Sequence, residues 1–341
     1  MKETTMVLEE HTRRAKAVLE EMDTSALPHG ACGGHDAASC RTLRDLCLNW
    51  LQTRRGIVKR STYSGYCYGI RIHILPYLGS VGLADMSGDM VLSFIEKMQE
   101  KGLADSTVRS TLTTFKTVLK FGVHLKLINK DILSHCSVNC SRPRSRVLTV
   151  QDSMGMKAYL LEQNTIFAVG ILLCRGTGMR IGELCGLKWG DIDFSANIIT
   201  VRRTISRIPN PDASLGQPRT VLYIRTPKSH TSMREIPIPR YLVKCLQDMR
   251  KEESEFVLTG RDSCTEPRNV QKRFKTILKR CEMHDCNFHA MRHGFATACL
   301  EKGIDCKTVS SILGHASTRT TMDFYVHTSL QQKQNCIDAI P

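Results

Sequence analysis

The sequence predicts a two-part, mainly α protein with a small antiparallel β-sheet in its second half. Three observations carry this expectation. Apolar residues recur at helical spacing almost without break from Arg41 to Leu133. A short basic stretch rich in Ser and Pro, Ser141-Arg142-Pro143-Arg144-Ser145-Arg146, cannot continue a helix and so separates two bodies. Beyond it, helical segments alternate with a few strand-like runs around residues 198–238. A chain of 341 residues is long enough for two cores.

The first body reads as a small helical bundle. Residues 6–22 carry a helical pattern, and residues 25–40, with Pro28 and several glycines, read as a linker. Leu43, Leu46 and Trp50 start the first bundle helix. Ser61 is placed to cap a second, with Tyr63, Tyr66, Ile70 and Ile74 on one face and Pro76 and Gly79 as its stop. Ser87 opens a third with Val91, Phe94, Ile95 and Met98. Ser106 opens a fourth, with Val108, Leu112, Phe115 and Leu119 spaced by four, three and four.

Charge points to a polyanionic partner. The chain holds 48 Lys and Arg against 33 Asp and Glu, a formal net charge of +15, and neutralising phosphates with such cations releases condensed counterions. Arg54, Arg55, Lys59, Arg60, Arg109, Lys116 and Lys120 in the bundle, with Arg142, Arg144 and Arg146 in the linker, are the candidate backbone-contacting cations. A solvated helix face is the alternative for the bundle cations, but on elements that also present Ser, Thr and Tyr they fit phosphate contacts slightly better.

Fifteen cysteines sit mostly alone inside apolar patterns, where a reduced thiol acts as a small hydrophobe. The N-terminus has no apolar signal core, so a reducing cytoplasm is the expected compartment. The longest apolar run, Ile166 to Cys174, falls far below the roughly 20 residues that span a bilayer, so no membrane role is expected. Cys32, His35 and Cys40, and separately Cys281, His284, Cys286 and His289, resemble metal ligands only loosely. Neither set pairs two separated knuckles, and no metal or other cofactor is expected.

The second body carries the polar clusters. Thr149 caps a helix to about Glu162, and Ile166 to Cys174 forms a buried one. Gly176-Thr177-Gly178-Met179-Arg180-Ile181-Gly182-Glu183 turns sharply into a short helix, setting Arg180 and Glu183 three apart. An Arg at such a turn can aim its fork at phosphate oxygens. Strands are expected over 198–203 and 221–226, joined by a long polar loop, with Lys228 in a hairpin turn before a third strand at 234–238. His289 and Arg292 share a helix face, and Leu313-Gly314-His315 precedes Tyr325 by ten residues.

The order Arg180, Lys228, His289-x-x-Arg292, Leu313-Gly314-His315 and Tyr325 resembles the tyrosine recombinase, or phage integrase, family. The likeness covers roughly residues 146–330, with weaker motif support in the bundle. The resemblance implies a helical core-binding domain (41–140), preceded by an arm (1–40) and followed by a basic linker (141–148). A mixed α/β catalytic domain (149–327) would then close a clamp on DNA, leaving a tail (328–341) that could pack into a neighbouring subunit. Arm-site binding by a separate N-terminal domain is not implied.

The resemblance also implies chemistry. Tyr325 would attack a DNA phosphate, leaving a 3′-phosphotyrosine and a free 5′-hydroxyl. Arg180 and Arg292 would clamp the non-bridging oxygens, and Lys228 would protonate the departing oxygen. His289 would serve as proton acceptor or hydrogen-bond partner, His315 would hold the phosphate or orient Tyr325, and Glu183 would support its helix. Double-stranded DNA, a homotetramer on paired sites, and a small excisionase or DNA-bending protein are the implied partners. The leading expectation is a mobile-element integrase. A chromosome-dimer resolvase or invertase, an inactive DNA-binding regulator and a monomeric topoisomerase of the same chemistry are the alternatives.

Overall fold

The computed structural model describes residues 40–137, 150–213, 217–225 and 233–315, together with Ser317, Met322 and Asp338. The arm helix at 6–22, the basic linker with Arg142, Arg144 and Arg146, Lys228, Tyr325 and nearly all of the C-terminal tail lie outside them. Contacts divide the chain into Met1–Pro143 with Ile208–Val221, and Arg144–Arg207 with Leu222–Pro341.

In the first unit, helices α1 (Leu43–Arg54), α2 (Arg60–Gly69), α3 (Leu75–Leu78), α4 (Gly88–Glu100) and α5 (Asp105–His124) form the bundle. Thr42 caps α1 reciprocally with Asp45, whose carboxylate takes the Thr42 amide at 2.9 Å. The apolar positions read from the sequence converge: Trp50, Phe94, Phe115, Leu43 and Leu46 are fully or almost fully buried. Phe94 meets Phe115 edge to face at 5.6 Å.

Two expectations about this bundle are corrected. Lys59, not Ser61, is the N-cap of α2, and Ala104 precedes α5 without any side-chain cap. Pro76 also fails to stop the second helix. A π-helical turn, Ile70–Ile74, widens the helix so that the Leu75 amide reaches the Ile70 carbonyl, and Pro76 then falls in the first turn of α3. A proline is tolerated there because its missing N–H costs no ladder bond.

Residues 208–221 group with the bundle rather than with the second unit, where the sequence reading put them. The Ser64 hydroxyl donates to the Pro209 carbonyl and Arg71 to that of Pro211, the latter at 3.0 Å.

In the second unit, α6 (Val150–Gln163) and α7 (Ile166–Thr177) lead to the short α8 (Ile181–Gly186). Helix α7 is apolar around most of its circumference and is buried accordingly. Its last turn closes on Gly178 in the left-handed region (φ 68°), which hands the chain to Arg180. Then follow β1 (Ile192–Asp193), β2 (Ile198–Val201), β3 (Thr204–Pro209), β4 (Thr220–Arg225) and β5 (Arg234–Pro237). Helices α9 (Arg240–Asp248), α10 (Pro267–Arg280), α11 (His289–Glu301) and α12 (Cys306–Leu313) complete it.

The strand pairing differs from the sequence expectation. Residues 204–209 begin the supposed loop but form a strand of their own, β3, which pairs with β4 in a two-stranded ribbon. β2 instead sits between β1 and β5, both antiparallel, with Ile199 opposite Ile236 and Val201 opposite Arg234. Lys228 falls between β4 and β5, outside the described residues. The physical reason lies in the alternation. Ile199 and Val201 share the buried face with Ile236, whereas β3 begins only after the polar break Arg202-Arg203, and its buried Ile205 and Ile208, three apart, fall on opposite faces of the strand.

A candidate phosphoryl-transfer site

The site is assembled where three turns meet in the second unit: the Gly178–Arg180 turn, the start of α11, and the end of α12. Glu183 is its anchor. It is 6 % exposed, and its carboxylate accepts the Arg180 amide at 2.8 Å and Arg180 Nη1 at 2.8 Å. Arg180 and Glu183 thus form more than an exposed helix pair. The carboxylate both caps α8 and aims the guanidinium, whose Nη2 reaches the Gly314 carbonyl at 3.4 Å. Burial pushes the Glu183 carboxyl up, but hydrogen bonds and charge from Arg234 and Arg180 outweigh it and bring it to about 2.

Arg292 is buried, at 2 % exposure. Its Nη1 donates to the Gly178 carbonyl and its Nη2 to that of Leu313, each at 2.8 Å. Both acceptors are helix-terminal carbonyls with no partner inside their own helices. Burial, then the Arg180 charge, lowers its pKa to about 9, which leaves it protonated at neutral pH.

Three imidazoles flank these cations. His289 opens α11, where Asn287 Oδ1 takes the Ala290 amide at 3.0 Å, and it meets His293 edge-on at 4.6 Å between ring centres. His315 follows Gly314, the left-handed cap of α12 (φ 64°). The His289 ring reaches solvent on one side, yet burial and then Arg292 and Arg180 lower its pKa. Burial and then Arg292, Arg180 and Arg234 take His315 to about 4, and burial with His289 and Arg292 takes His293 to about 4. All three are therefore neutral at pH 7 and able to accept or relay a proton.

Beside them opens a cleft of about 470 Å³, whose walls include Arg180, Thr204, Gln271, Asn287, His289 and Arg292. Three guanidinium groups against one carboxylate leave the site net positive, which suits an anion with several oxygens.

The structure brings together Arg180, Glu183, His289, Arg292 and His315 from the sequence-predicted set. Lys228 and Tyr325 lie outside the described residues. Among the proposed backbone-contacting cations, Arg109, Lys116 and Lys120 line one groove on α5 with Thr113 and Thr117. Arg54 lies over the Trp50 ring at 5.5 Å. Arg55 and Arg60 pair with Asp212 at 3.5 and 3.6 Å, and Lys59 is exposed. Among the described residues no group of acidic, His and Cys side chains is arranged to hold a metal, and no helix is long and apolar enough to cross a membrane.

Sequence reasoning passed over two features. Helix α10 carries exposed Arg268, Lys272, Arg273, Lys279 and Arg280, a cation row visible in its own letters. Arg234 went unremarked although it shares strand phase with Ile236 and Ile238, and an Arg on the buried face of a strand needs a buried partner.

The profile of the phage integrase family matches residues 151–332, more than half of the chain. The profile described as phage integrase, N-terminal SAM-like domain, matches residues 42–99. A tyrosine recombinase XerC-like protein of Caldanaerobacter subterraneus is 27% identical over 88% of this chain and 82% of its own. The ICEBs1 integrase of Bacillus subtilis is 20% identical over 83% of this chain and 78% of its own. Among solved structures, the Tn1549 transposon integrase in complex with transposon right end DNA superimposes with a TM-score of 0.72 at 22% identity. That match covers 88% of this chain and 99% of the other.

Proposed function

The chain belongs to the phage integrase family, and from that premise we propose that it is the integrase of a mobile element, cutting and rejoining double-stranded DNA. The observation that carries the reading is the convergence of Arg180 and Arg292 on the Leu313–Gly314 turn, with His289 and His315 beside them. Two fixed forks and neutral imidazoles are what an in-line attack on a phosphodiester requires.

The Tyr325 hydroxyl attacks the phosphorus and gives its proton to His289. The bond to the 5′-oxygen breaks, and Lys228 delivers a proton to that oxygen. Arg180 and Arg292 hold the two non-bridging oxygens as charge builds on them. The phosphotyrosine keeps the energy of the broken bond, so the 5′-hydroxyl of a second duplex can reverse the step on a new partner. No metal or other cofactor enters this scheme. Exchange between two sites, each bound as an inverted repeat, needs four subunits, so a homotetramer is the working assembly, with an excisionase or DNA-bending protein as accessory.

The cations of α10 and of the α5 groove supply backbone contacts that set register rather than read bases. Residues 41–140 serve as the core-binding domain and 149–327 as the catalytic domain, between the 1–40 arm and the 328–341 tail and joined by the 141–148 linker. The site of action is the cytoplasm.

The test is a nicked duplex built from the end of the element that encodes the protein. Cleavage releases a short strand that diffuses away and traps the covalent adduct. The intact protein is expected to give an adduct that survives EDTA, and Tyr325→Phe to give none. An undiminished adduct with Tyr325→Phe would sink the assignment. The likeness to the XerC-like protein favours a chromosome-dimer resolvase as the second reading, which the neighbouring genes separate: an excisionase or relaxase beside this one marks a mobile element.

A further inference from the structure

Arg234 has no place in the mechanism above, yet all three nitrogens of its guanidinium are engaged within the second unit. It is the first residue of β5, opposite Val201 of β2, and its side chain is 10% exposed. Its Nη1 and Nη2 fork onto Glu183 Oε1 and Oε2 at 3.0 and 2.7 Å. Its Nε donates to the Ile312 carbonyl in the last turn of α12 at 2.7 Å. The stem of the side chain runs across Gly314, where a Cβ would come within 2.9 Å of Arg234 Cδ.

The acceptor count at Glu183 shows what this fork does. An ionised carboxylate offers about four lone-pair positions, and here four N–H groups fill them: two from Arg234, and the backbone amide and Nη1 of Arg180. Charge follows the same division. Arg180 and Glu183 alone would be a neutral pair, and a phosphate would have to compete with the carboxylate for the guanidinium. With Arg234 as the buried counter-ion of Glu183, the charge of Arg180, whose side chain is 40% exposed, remains for an anion in the cleft. Glu183 then directs Arg180 without neutralising it.

We propose that Arg234 is a positioning residue of this site: by satisfying Glu183 it leaves Arg180 charged and aimed at the phosphate, and by holding the Ile312 carbonyl it sets the turn that carries His315. This rests on Arg180 acting on a phosphate, as proposed above.

The experiment is single-turnover cleavage of the nicked duplex at saturating protein. It compares wild type, Arg234→Met, Arg234→Lys, Glu183→Gln and the double variant Arg234→Met/Glu183→Gln. Thermal unfolding and DNA affinity are measured on each. Arg234→Met should slow cleavage roughly 10²-fold, the scale on which misplacing a catalytic group acts, while DNA affinity changes little. Arg234→Lys, which keeps the charge and loses the fork, should fall between the two.

The decisive arm is the double variant. Removing the carboxylate charge frees Arg180 again, so Arg234→Met/Glu183→Gln should cleave faster than Arg234→Met alone. A purely structural Arg would show rescue in thermal unfolding, through loss of the unpaired buried carboxylate, but not in the cleavage rate of the folded protein. A double variant no faster than the single one, or an Arg234→Met that cleaves like wild type, overturns the proposal. Should Arg234→Met not fold, Arg234→Gln, which keeps donors and removes the charge, carries the same comparison. Arg180→Ala tests the underlying reading separately: if it cleaves like wild type, that reading fails whatever Arg234 does.

Discussion

Arg292 Nη2 lies 2.8 Å from the Leu313 carbonyl, and Nη1 of the same guanidinium lies 2.8 Å from that of Gly178. One buried side chain thus closes the ends of two helices that are far apart in sequence and draws the Arg180 and His315 turns together. A group placed to bind phosphate is here also a structural tie, so its loss has two consequences of different kinds.

Arg292→Met removes the donors to both carbonyls within a buried pocket. The Gly178 carbonyl then loses its Arg292 donor and the Leu313 carbonyl keeps only the long Arg180 contact at 3.5 Å; an orphaned acceptor costs roughly 1–3 kcal/mol, so the urea midpoint should fall and the covalent adduct should disappear. Arg292→Lys keeps a charge but cannot span two carbonyls with a point-like ammonium. It should recover part of the stability and little of the cleavage. A Lys variant as active as wild type would show that the fork is dispensable.

Gly178 offers a test of the turn itself. Its φ of 68° favours glycine, and a Cβ there would stand 2.8 Å from Phe295 Cδ1 and closer still to Leu313. Both neighbours are packed in the small cluster under α11 and α12. Gly178→Ala should cost about 1–3 kcal/mol from strain and overpacking, read as a lower melting temperature. Gly102→Ala, also at positive φ (66°) but with no atom near the added carbon, should cost less. Equal losses would mean that backbone conformation alone decides.

The bundle core was legible because Leu43, Leu46, Trp50, Val108, Leu112 and Phe115 repeat at helical spacing, and a helix carries its partner face in its own letters. Strand partners are not local information: Ile199 alternates equally well whether it pairs with β4 or β5, and only the three-dimensional sheet chose Ile236. The π-helical turn at Ile70–Ile74 that rescues Pro76 likewise leaves no pattern. Arg180, Glu183, His289, Arg292 and His315 were found through their spacing. Arg234 was legible in principle, since its phase with Ile236 puts it on the buried face, but its partner lies 51 residues away.

Two histidines make stability depend on acid. His293 and His315 are held near 4, against an ordinary value of about 6.5. Their folded pKa is below the unfolded one, so between about pH 4 and 6.5 the unfolded chain binds more protons and stability rises with pH. Stability should therefore be full above about pH 6.5 and be lost as pH falls through that window. Urea midpoints measured from pH 7.5 to 4.5 should show this slope, and His293→Gln and His315→Gln should each flatten it. A slope unchanged in both variants would place the sensitivity elsewhere.

The α5 groove gives a prediction about DNA that does not involve the chemistry. Arg109, Lys116 and Lys120 lie on one face, with Thr113 and Thr117 between them. The hydroxyls of both threonines bond back to their own helix, to the Arg109 and Thr113 carbonyls at 2.8 Å, which leaves the cations as the groups that meet an anion. If each neutralises one phosphate, removing it flattens the dependence of log K on log salt by about 0.9. The triple alanine variant should therefore lose affinity on specific and unrelated duplexes alike, with a slope shallower by about three such steps. Arg55 and Arg60 both pair with Asp212. Exposed pairs of this kind contribute about 0–1 kcal/mol, so Asp212→Asn should barely change stability while steepening the salt slope as two cations are released to the DNA. Titrations of each variant at several salt concentrations decide between the two faces: a slope that responds at Asp212 and not at the α5 groove would move the backbone contact from α5 to the α1–α2 turn.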